Sequence, residues 1–205
     1  DDTLRLCGVP GTIEARTREE ILALDAAFSF SPDGGATHPL RGRGVHPPTL
    51  AETLARYPGM RFNVEAKSAD PALAEALVRV VRDAGRLEDV CLGSFDDAQG
   101  ERLRRLAPEA CHFLPTNAAT CHVLAAKSGS PGDECPSGWH VADLPLTTDG
   151  YRVVDAEVVA HFRRLGTAVF VWTVDREEDM RDLLALGVHG IMTDRPDLLK
   201  KALGR

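Results

Sequence analysis

The sequence predicts a parallel α/β fold whose sheet curves toward a barrel, and three observations carry that prediction. From residue 61 onward, six short apolar runs recur roughly 20 to 30 residues apart with amphipathic helical stretches between them, the rhythm of βαβ units with right-handed crossovers. The first run, RFNVEAK (61–67), alternates with a period of two, so Asn63, Glu65 and Lys67 share one face and Phe62, Val64 and Ala66 the other. In TAVFVWTV (167–174), Phe170, Trp172 and Val174 likewise share a face. Strands of a parallel sheet are covered on both sides. The polar face of the first run is therefore expected to look into a central cavity, not into bulk water.

In chain order, Thr17 to Glu20 reads as a capping box that opens a helix. A Gly- and Pro-rich irregular stretch, 29–48, follows, and Thr49 then caps a second short helix, LAETLARY. Strands are expected at 61–67, 90–95, 111–115, 139–145, 167–174 and 190–194. Between them, Asp70-Pro71 supplies a cap and a first-turn proline for a helix that stops at Gly85. The stretch DDAQGERLRRL runs from acid to base, as the helix dipole favours, and DAEVVAHFRRLG and REEDMRDLLALG repeat the pattern, each ending at glycine. Arg195-Pro196-Asp197 leads into a last short helix, and 128–138 reads as a loop. With neither repeat nor linker, residues 1–205 are expected to form a single domain.

Composition narrows the function. The 205 residues are 43% hydrophobic and 27% charged, ordinary for a globular protein, and carry a net charge of −7. That charge argues against nucleic-acid binding, which needs a basic surface. It also means that an anionic ligand would require a local cation or Lys/Arg cluster. No apolar run approaches the roughly 20 residues of a membrane span. Five cysteines without a CxxC pair point to reduced thiols, with two bridges and one free thiol as the alternative. With no signal-peptide features in DDTLRLCGVP, the expected compartment is cytoplasmic rather than secreted.

In (β/α)₈ barrels the chemistry gathers at the C-terminal ends of the strands, where Glu65, Lys67, Phe95, Asp143, Trp172 and Asp194 fall. Several stretches in this frame resemble one family: GVPGTIEARTREEILALDA after DDTL, RGRGVHPPTLAETL, NVEAK, GSFD, and VWTVD with GIMTDRPDLL. Together they are similar to the glycerophosphodiester phosphodiesterases over essentially the whole chain. The pairing of VWTV with TDRP, in a chain that also holds ExK, is the specific part. The resemblance implies a TIM barrel and hydrolysis of a glycerophosphodiester to sn-glycerol 3-phosphate and an alcohol. It further implies a divalent cation, Mg²⁺ or Ca²⁺, and two histidines as acid and base. On this resemblance Glu65 takes the place of a metal carboxylate and Lys67 that of a phosphate contact, while Phe95 and Trp172 line the substrate pocket.

The family's HRG strand, its E-x-D strand and the histidine before its DxTL segment are not in the sequence. The first two barrel strands are thus expected to be absent, both family histidines to lie upstream of Asp1, and the chain to be N-terminally incomplete, with no catalytic residue assigned within it. Two other readings follow: a catalytically silent barrel that binds phosphodiesters or a protein partner, and a diesterase acting on lysophospholipid or sphingomyelin.

Other residues read more plainly. Glu65 and Lys67, with Cα atoms roughly 6.6 Å apart on a strand, can form an interior ion pair without any metal. Asp194 and Ser94 read as helix caps, and Asp143 and Asp175 match nothing essential in the family. His161 and His189 read as structural, while His38 and His46 flank a loop and receive no role. Cys111, His112, Cys121, His122, Cys135 and His140 lack the paired short spacing of a zinc site. An active purified protein with an intact mass of 22.2 kDa would contradict the expectation of a fragment; a larger mass is expected.

Overall fold

The structure, a computed structural model, describes residues 2–205 and divides into two compact units, Asp1–Pro58 and Gly59–Arg205. The first holds three short helices, α1 (Leu4–Cys7), α2 (Arg18–Leu22) and α3 (Leu50–Arg56). Thr17 and Thr49 both close full capping boxes, each hydroxyl accepting from the N–H of the glutamate three residues on. Residues 29–48 are irregular, as their Gly and Pro content predicts. Their turns are tied by side chains: Asp25 accepts from the N–H groups of Ala27 and Gly42, and Arg41 lies 4.2 Å over the Phe28 ring.

The second unit begins with β1 (Phe62–Glu65), α4 (Pro71–Asp83), β2 (Val90–Gly93), α5 (Asp97–Leu106), β3 (Cys111–His112) and α6 (Thr116–Ser128). It continues with β4 (Val141–Pro145), β5 (Thr147–Thr148), β6 (Tyr151–Arg152), α7 (Ala156–Arg164), β7 (Ala168–Trp172), α8 (Glu177–Leu186), β8 (Gly190–Ile191) and α9 (Pro196–Ala202). All six predicted strands are present. They run parallel as β1-β2-β3 and β4-β7-β8, joined by a parallel bridge from Phe113 to Val141. The array curves around an interior of about 860 Å³ to which β1, through Phe62 and Asn63, and β8, through Gly190 and Ile191, both contribute.

The two faces of β7 show why the strands read as they do. Val169 and Val171 are buried with Val158, Phe162, Met180 and Leu183 of α7 and α8, whereas Ala168, Phe170 and Trp172 face the interior and are half-buried. Each aliphatic side chain so buried contributes about 1.5–3 kcal/mol. Asp70, Asp96 and Asp155 cap α4, α5 and α7 by accepting from the N–H groups of Ala72, Gln99 and Val158.

Several features depart from the sequence reading. Helix α6 lacks clear amphipathicity in sequence, so its segment shows no helical signal. The β5–β6 hairpin turns on Asp149-Gly150, both at positive φ, the Asp-Gly turn that two-residue hairpins favour. Asp194 is not a helix cap: Arg195 precedes α9, and Asp175 instead accepts from the Asp194 N–H and the Thr193 hydroxyl. Ser94 does not cap α5; its hydroxyl donates to the Ala66 carbonyl at 2.6 Å.

The cysteines also differ from expectation. Cys91 pairs with Cys111 across β2 and β3, Cys121 pairs with Cys135, and Cys7 is free. Spacing along the chain could not show this, because the parallel register sets Cys91 directly beside Cys111. The Cys121–Cys135 bridge pins the loop after α6, and a chain of imidazoles pins it again. Arg164 donates to His161 Nδ1, His161 Nε2 meets His122 Nδ1, and His122 Nε2 meets the Pro136 carbonyl, at 3.1, 3.1 and 3.0 Å. A guanidinium only donates and a carbonyl only accepts, so both rings are neutral with their protons on Nε2. Burial, and then the His122 and Arg164 neighbours, hold His161 below the usual imidazole range.

A bridge closing a loop of this length contributes about 2–4 kcal/mol. Cys135→Ser is expected to lower unfolding stability in urea by that amount, and reductant to lower the wild type further, since it opens the Cys91–Cys111 bridge as well. Identical urea midpoints for the oxidised wild type and the variant would contradict the bridge.

Candidate active site

The alternation of β1 turns Asn63 and Glu65 into the interior. Asn63 Nδ2 donates to Asp143 Oδ2 at 2.6 Å, joining residues 80 apart in sequence and two strands, β1 and β4, that are not neighbours in the sheet. Beyond Glu65 the chain is held to β2: the Ala66 N–H donates to the Gly93 carbonyl at 2.8 Å, and the Ser94 hydroxyl holds the Ala66 carbonyl. Lys67 therefore leaves the strand at its C-terminal end, where its Nζ donates to Glu65 Oε2 at 2.7 Å. The Lys67 side chain is 59% exposed and that of Glu65 25%. An ion pair this open contributes about 0–1 kcal/mol, so an incoming anion can draw Lys67 away at little cost.

Asp143, to which the sequence assigned no role, is the buried acid of the site. It keeps 4% of its exposure, and its Oδ1 has no partner among the described residues. Burial pushes its carboxyl up to about 6; the Asn63 hydrogen bond opposes this, and the Glu65 charge adds to it. The sequence signal was present, since Asp143 interrupts the apolar strand WHVADLP. What it lacked was the partner, because only the curvature of the sheet brings Asn63 opposite.

Phe95 and Trp172 come together. Their ring centroids lie 5.6 Å apart and inclined at 52°, and Phe95 lies 5.7 Å from Phe113. Gly93 makes room for this wall, since a Cβ there would fall 2.6 Å from the Phe113 ring. Phe95, Trp172 and Asp143 line a largely apolar pocket of about 410 Å³, completed by α6 and the β5–β6 hairpin region through Val123, Leu124, Thr148 and Val153.

The histidines of this unit are occupied elsewhere. His112 Nε2 meets the Ala107 carbonyl, His140 and His189 accept from the N–H groups of His112 and Val169, and His122 and His161 bond each other. None lines the pocket. Among the described residues, no three His, Cys, Asp or Glu side chains are arranged to hold a metal ion. A Mg²⁺ ion commonly takes one or two protein carboxylates and completes its shell with water and substrate phosphate. Glu65 suits such an open site and not a closed protein cage.

A family model, the glycerophosphoryl diester phosphodiesterase family, matches residues 1–198. The chain belongs to this family. Among curated members, a probable glycerophosphodiester phosphodiesterase 2 of Mycobacterium tuberculosis is 32% identical over 168 residues, covering 79% of this chain and 62% of its own length. A glycerophosphodiester phosphodiesterase of Caldanaerobacter subterraneus is 28% identical over 211 residues, covering 97% of this chain and 76% of its own length. The chain thus spans less than two thirds of the first of these relatives. In solved structures, the glycerophosphoryl diester phosphodiesterase domain of an uncharacterised M. tuberculosis protein superposes with a TM-score of 0.84 at 19% identity, covering 100% of this chain and 80% of that one. An Oleispira antarctica phosphodiesterase, in complex with the product sn-glycerol-3-phosphate, superposes at 0.73 and 18% identity, covering 100% and 77%. These likenesses show the fold, a TIM barrel, of whose eight strands the described residues supply six.

The burial of Asp143 predicts a pH signature. Its folded value, about 6, lies above the ordinary 3.8, so the folded state holds a proton that the unfolded state has released. Stability contributed by the protonated acid is present below about pH 4 and is lost as the pH rises to about 6, a loss on the order of 2–3 kcal/mol. Asp143→Asn is expected to melt above the wild type at pH 8, with the gap closing toward pH 4. A gap independent of pH would show that Asp143 ionises freely.

Proposed function

We propose that the protein hydrolyses glycerophosphodiesters to sn-glycerol 3-phosphate and an alcohol. The observation that carries this reading is the Glu65–Lys67 pair at the C-terminal end of β1, with Asp143 beside the Phe95–Trp172 wall, in a chain of this family. In a protein of net charge −7, Lys67 is the cation placed to meet a phosphate. It exchanges a weak solvent-exposed pair with Glu65 for a charge-assisted bond to a phosphoryl oxygen. Glu65, once Lys67 is drawn to a phosphate, would serve as one ligand of a divalent cation, Mg²⁺ or Ca²⁺. When bound, that ion would neutralise charge on the phosphoryl oxygens. Phe95 and Trp172 exclude water from the side of the diester they cover, and Asn63 fixes the orientation of Asp143 beneath it. The acid and base of the reaction are not assigned to any histidine of residues 59–205, since each of these is bonded elsewhere. The two disulfides favour an oxidising compartment over the cytosol.

The test is release of glycerol 3-phosphate from glycerophosphocholine by the full-length protein. Glu65→Gln is expected to lower kcat on the order of 10²-fold and chelator to abolish wild-type turnover, while Lys67→Met raises KM on the order of tenfold. Equal turnover by the wild type and Glu65→Gln would remove Glu65 from the reaction.

A further inference from the structure

Lys67 stands on a stretch of chain that is neither strand nor helix. Residues 66–70 run from the end of β1 to the start of α4 as an irregular loop. The carbonyls of this loop are taken by side chains of one neighbouring segment. The Ser94 hydroxyl donates to the Ala66 carbonyl at 2.6 Å, and Gln99 Nε2 donates to both the Ser68 and the Asp70 carbonyls, at 2.8 and 2.9 Å. Three alternate carbonyls, one before Lys67 and two after it, are thereby tied to the segment that joins β2 to α5.

Gln99 is an unusual residue for its place. It lies on the inner face of α5, one turn ahead of Leu103, and both residues are fully buried. Helical periodicity calls for an apolar side chain there. A buried carboxamide is costly unless its polar atoms are bonded, and here they are. Two carbonyls accept from Nε2, and Oε1 accepts from Arg102 at 2.7 Å. Carbonyls only accept and a guanidinium only donates, so the amide has a single orientation. Ser94 is committed in the same way: it is buried, and its oxygen accepts from the Asp96 N–H at 3.2 Å while its proton goes to Ala66. An apolar residue at position 99 would serve the core. What the glutamine adds is a hold on the loop that carries Lys67.

That hold matters because the side chain of Lys67 is loosely kept. Its pair with Glu65 is solvent-exposed and weak, and a lysine ammonium rides on a flexible stem. Such a cation meets a phosphate at one place only if the backbone beneath it is fixed. We infer that Gln99, with Ser94, is a positioning residue of the diesterase, acting through Lys67 by presenting its ammonium to the phosphate. The inference rests on the reading above, in which Lys67 meets that phosphate. Glu65 is held differently, since it pairs in register with Gly93 inside the β1–β2 ladder. Loss of Gln99 therefore weakens phosphate binding and leaves the part played by Glu65 in place.

Gln99→Met keeps an unbranched side chain of similar length and removes its donors. Calorimetric titration of the full-length protein with sn-glycerol 3-phosphate reads binding without turnover. Affinity is expected to fall about tenfold in Lys67→Met and about fivefold in Gln99→Met. The double variant is expected to bind no more weakly than Lys67→Met, because a residue that acts through the ammonium has nothing to position once it is gone. In hydrolysis of glycerophosphocholine, Gln99→Met is expected to raise KM about fivefold with kcat kept. Wild-type affinity in Gln99→Met overturns the inference. So does a double variant whose loss is the full product of the two single losses, or a kcat that falls with KM unchanged. Should Gln99→Met fail to fold, Ser94→Ala takes its place in the same cycle, and unchanged affinity or a fully multiplied loss there overturns the inference equally. A wild type that does not bind, or wild-type affinity in Lys67→Met, overturns the phosphate contact of the diesterase reading, and the inference falls with it.

Discussion

The hydrogen bond from Asn63 to Asp143 joins two strands across the interior, and the order of the site depends on it. With β1 and β4 apart in the sheet, this contact fixes the height at which the inward face of β1 meets the opposite wall. One step further along β1 comes Glu65, and just past the strand end Lys67. On the other side, Asp143 pairs in register with Phe170, and two residues on Pro145 pairs with Trp172. A polar contact at one level thus places the carboxylate–ammonium pair and the aromatic wall together at the next. A one-residue slip of β1 would exchange both faces, replacing Asn63 and Glu65 with Val64 and Ala66 and leaving Asp143 with no donor.

Ion pairing sets Lys67 apart from the other basic side chains. On the outside of the second unit, Arg82 pairs with Glu109, Arg104 with Glu101, Lys127 with Asp155 and Arg195 with Asp197, while the largely buried Arg86 pairs with Asp89. These pairs leave Lys67 as the ammonium at the strand ends beside Glu65.

Much of this was legible in the sequence because it follows from periodicity. The period-two pattern of residues 61–67 located the inward face, and the short apolar runs located all six strands. Cap chemistry at Thr17, Thr49 and Asp70 located helix starts to the residue. Features set by three-dimensional closeness were not legible. Asp143 had no visible partner until the sheet curved to bring Asn63 opposite, and the pairing of Cys91 with Cys111 is a consequence of register. Helix α6 carries too little amphipathic contrast to announce itself, and Asp194 resembled a cap because it precedes Arg195-Pro196, while the turn is held by Asp175 from the preceding loop. The Asp149-Gly150 hairpin was readable by its turn chemistry and shows that a two-residue signal is easily passed over when the flanking strands are two residues long.

The most direct examination of the account is a crystal structure of the full-length protein with sn-glycerol 3-phosphate. A phosphoryl oxygen is expected within hydrogen-bonding distance of Lys67 Nζ, with a divalent cation between the Glu65 carboxylate and the same phosphate and Asn63 still bonded to Asp143. Phosphate bound elsewhere, with the side chains of residues 63, 65 and 67 directed into outside solvent, would contradict it.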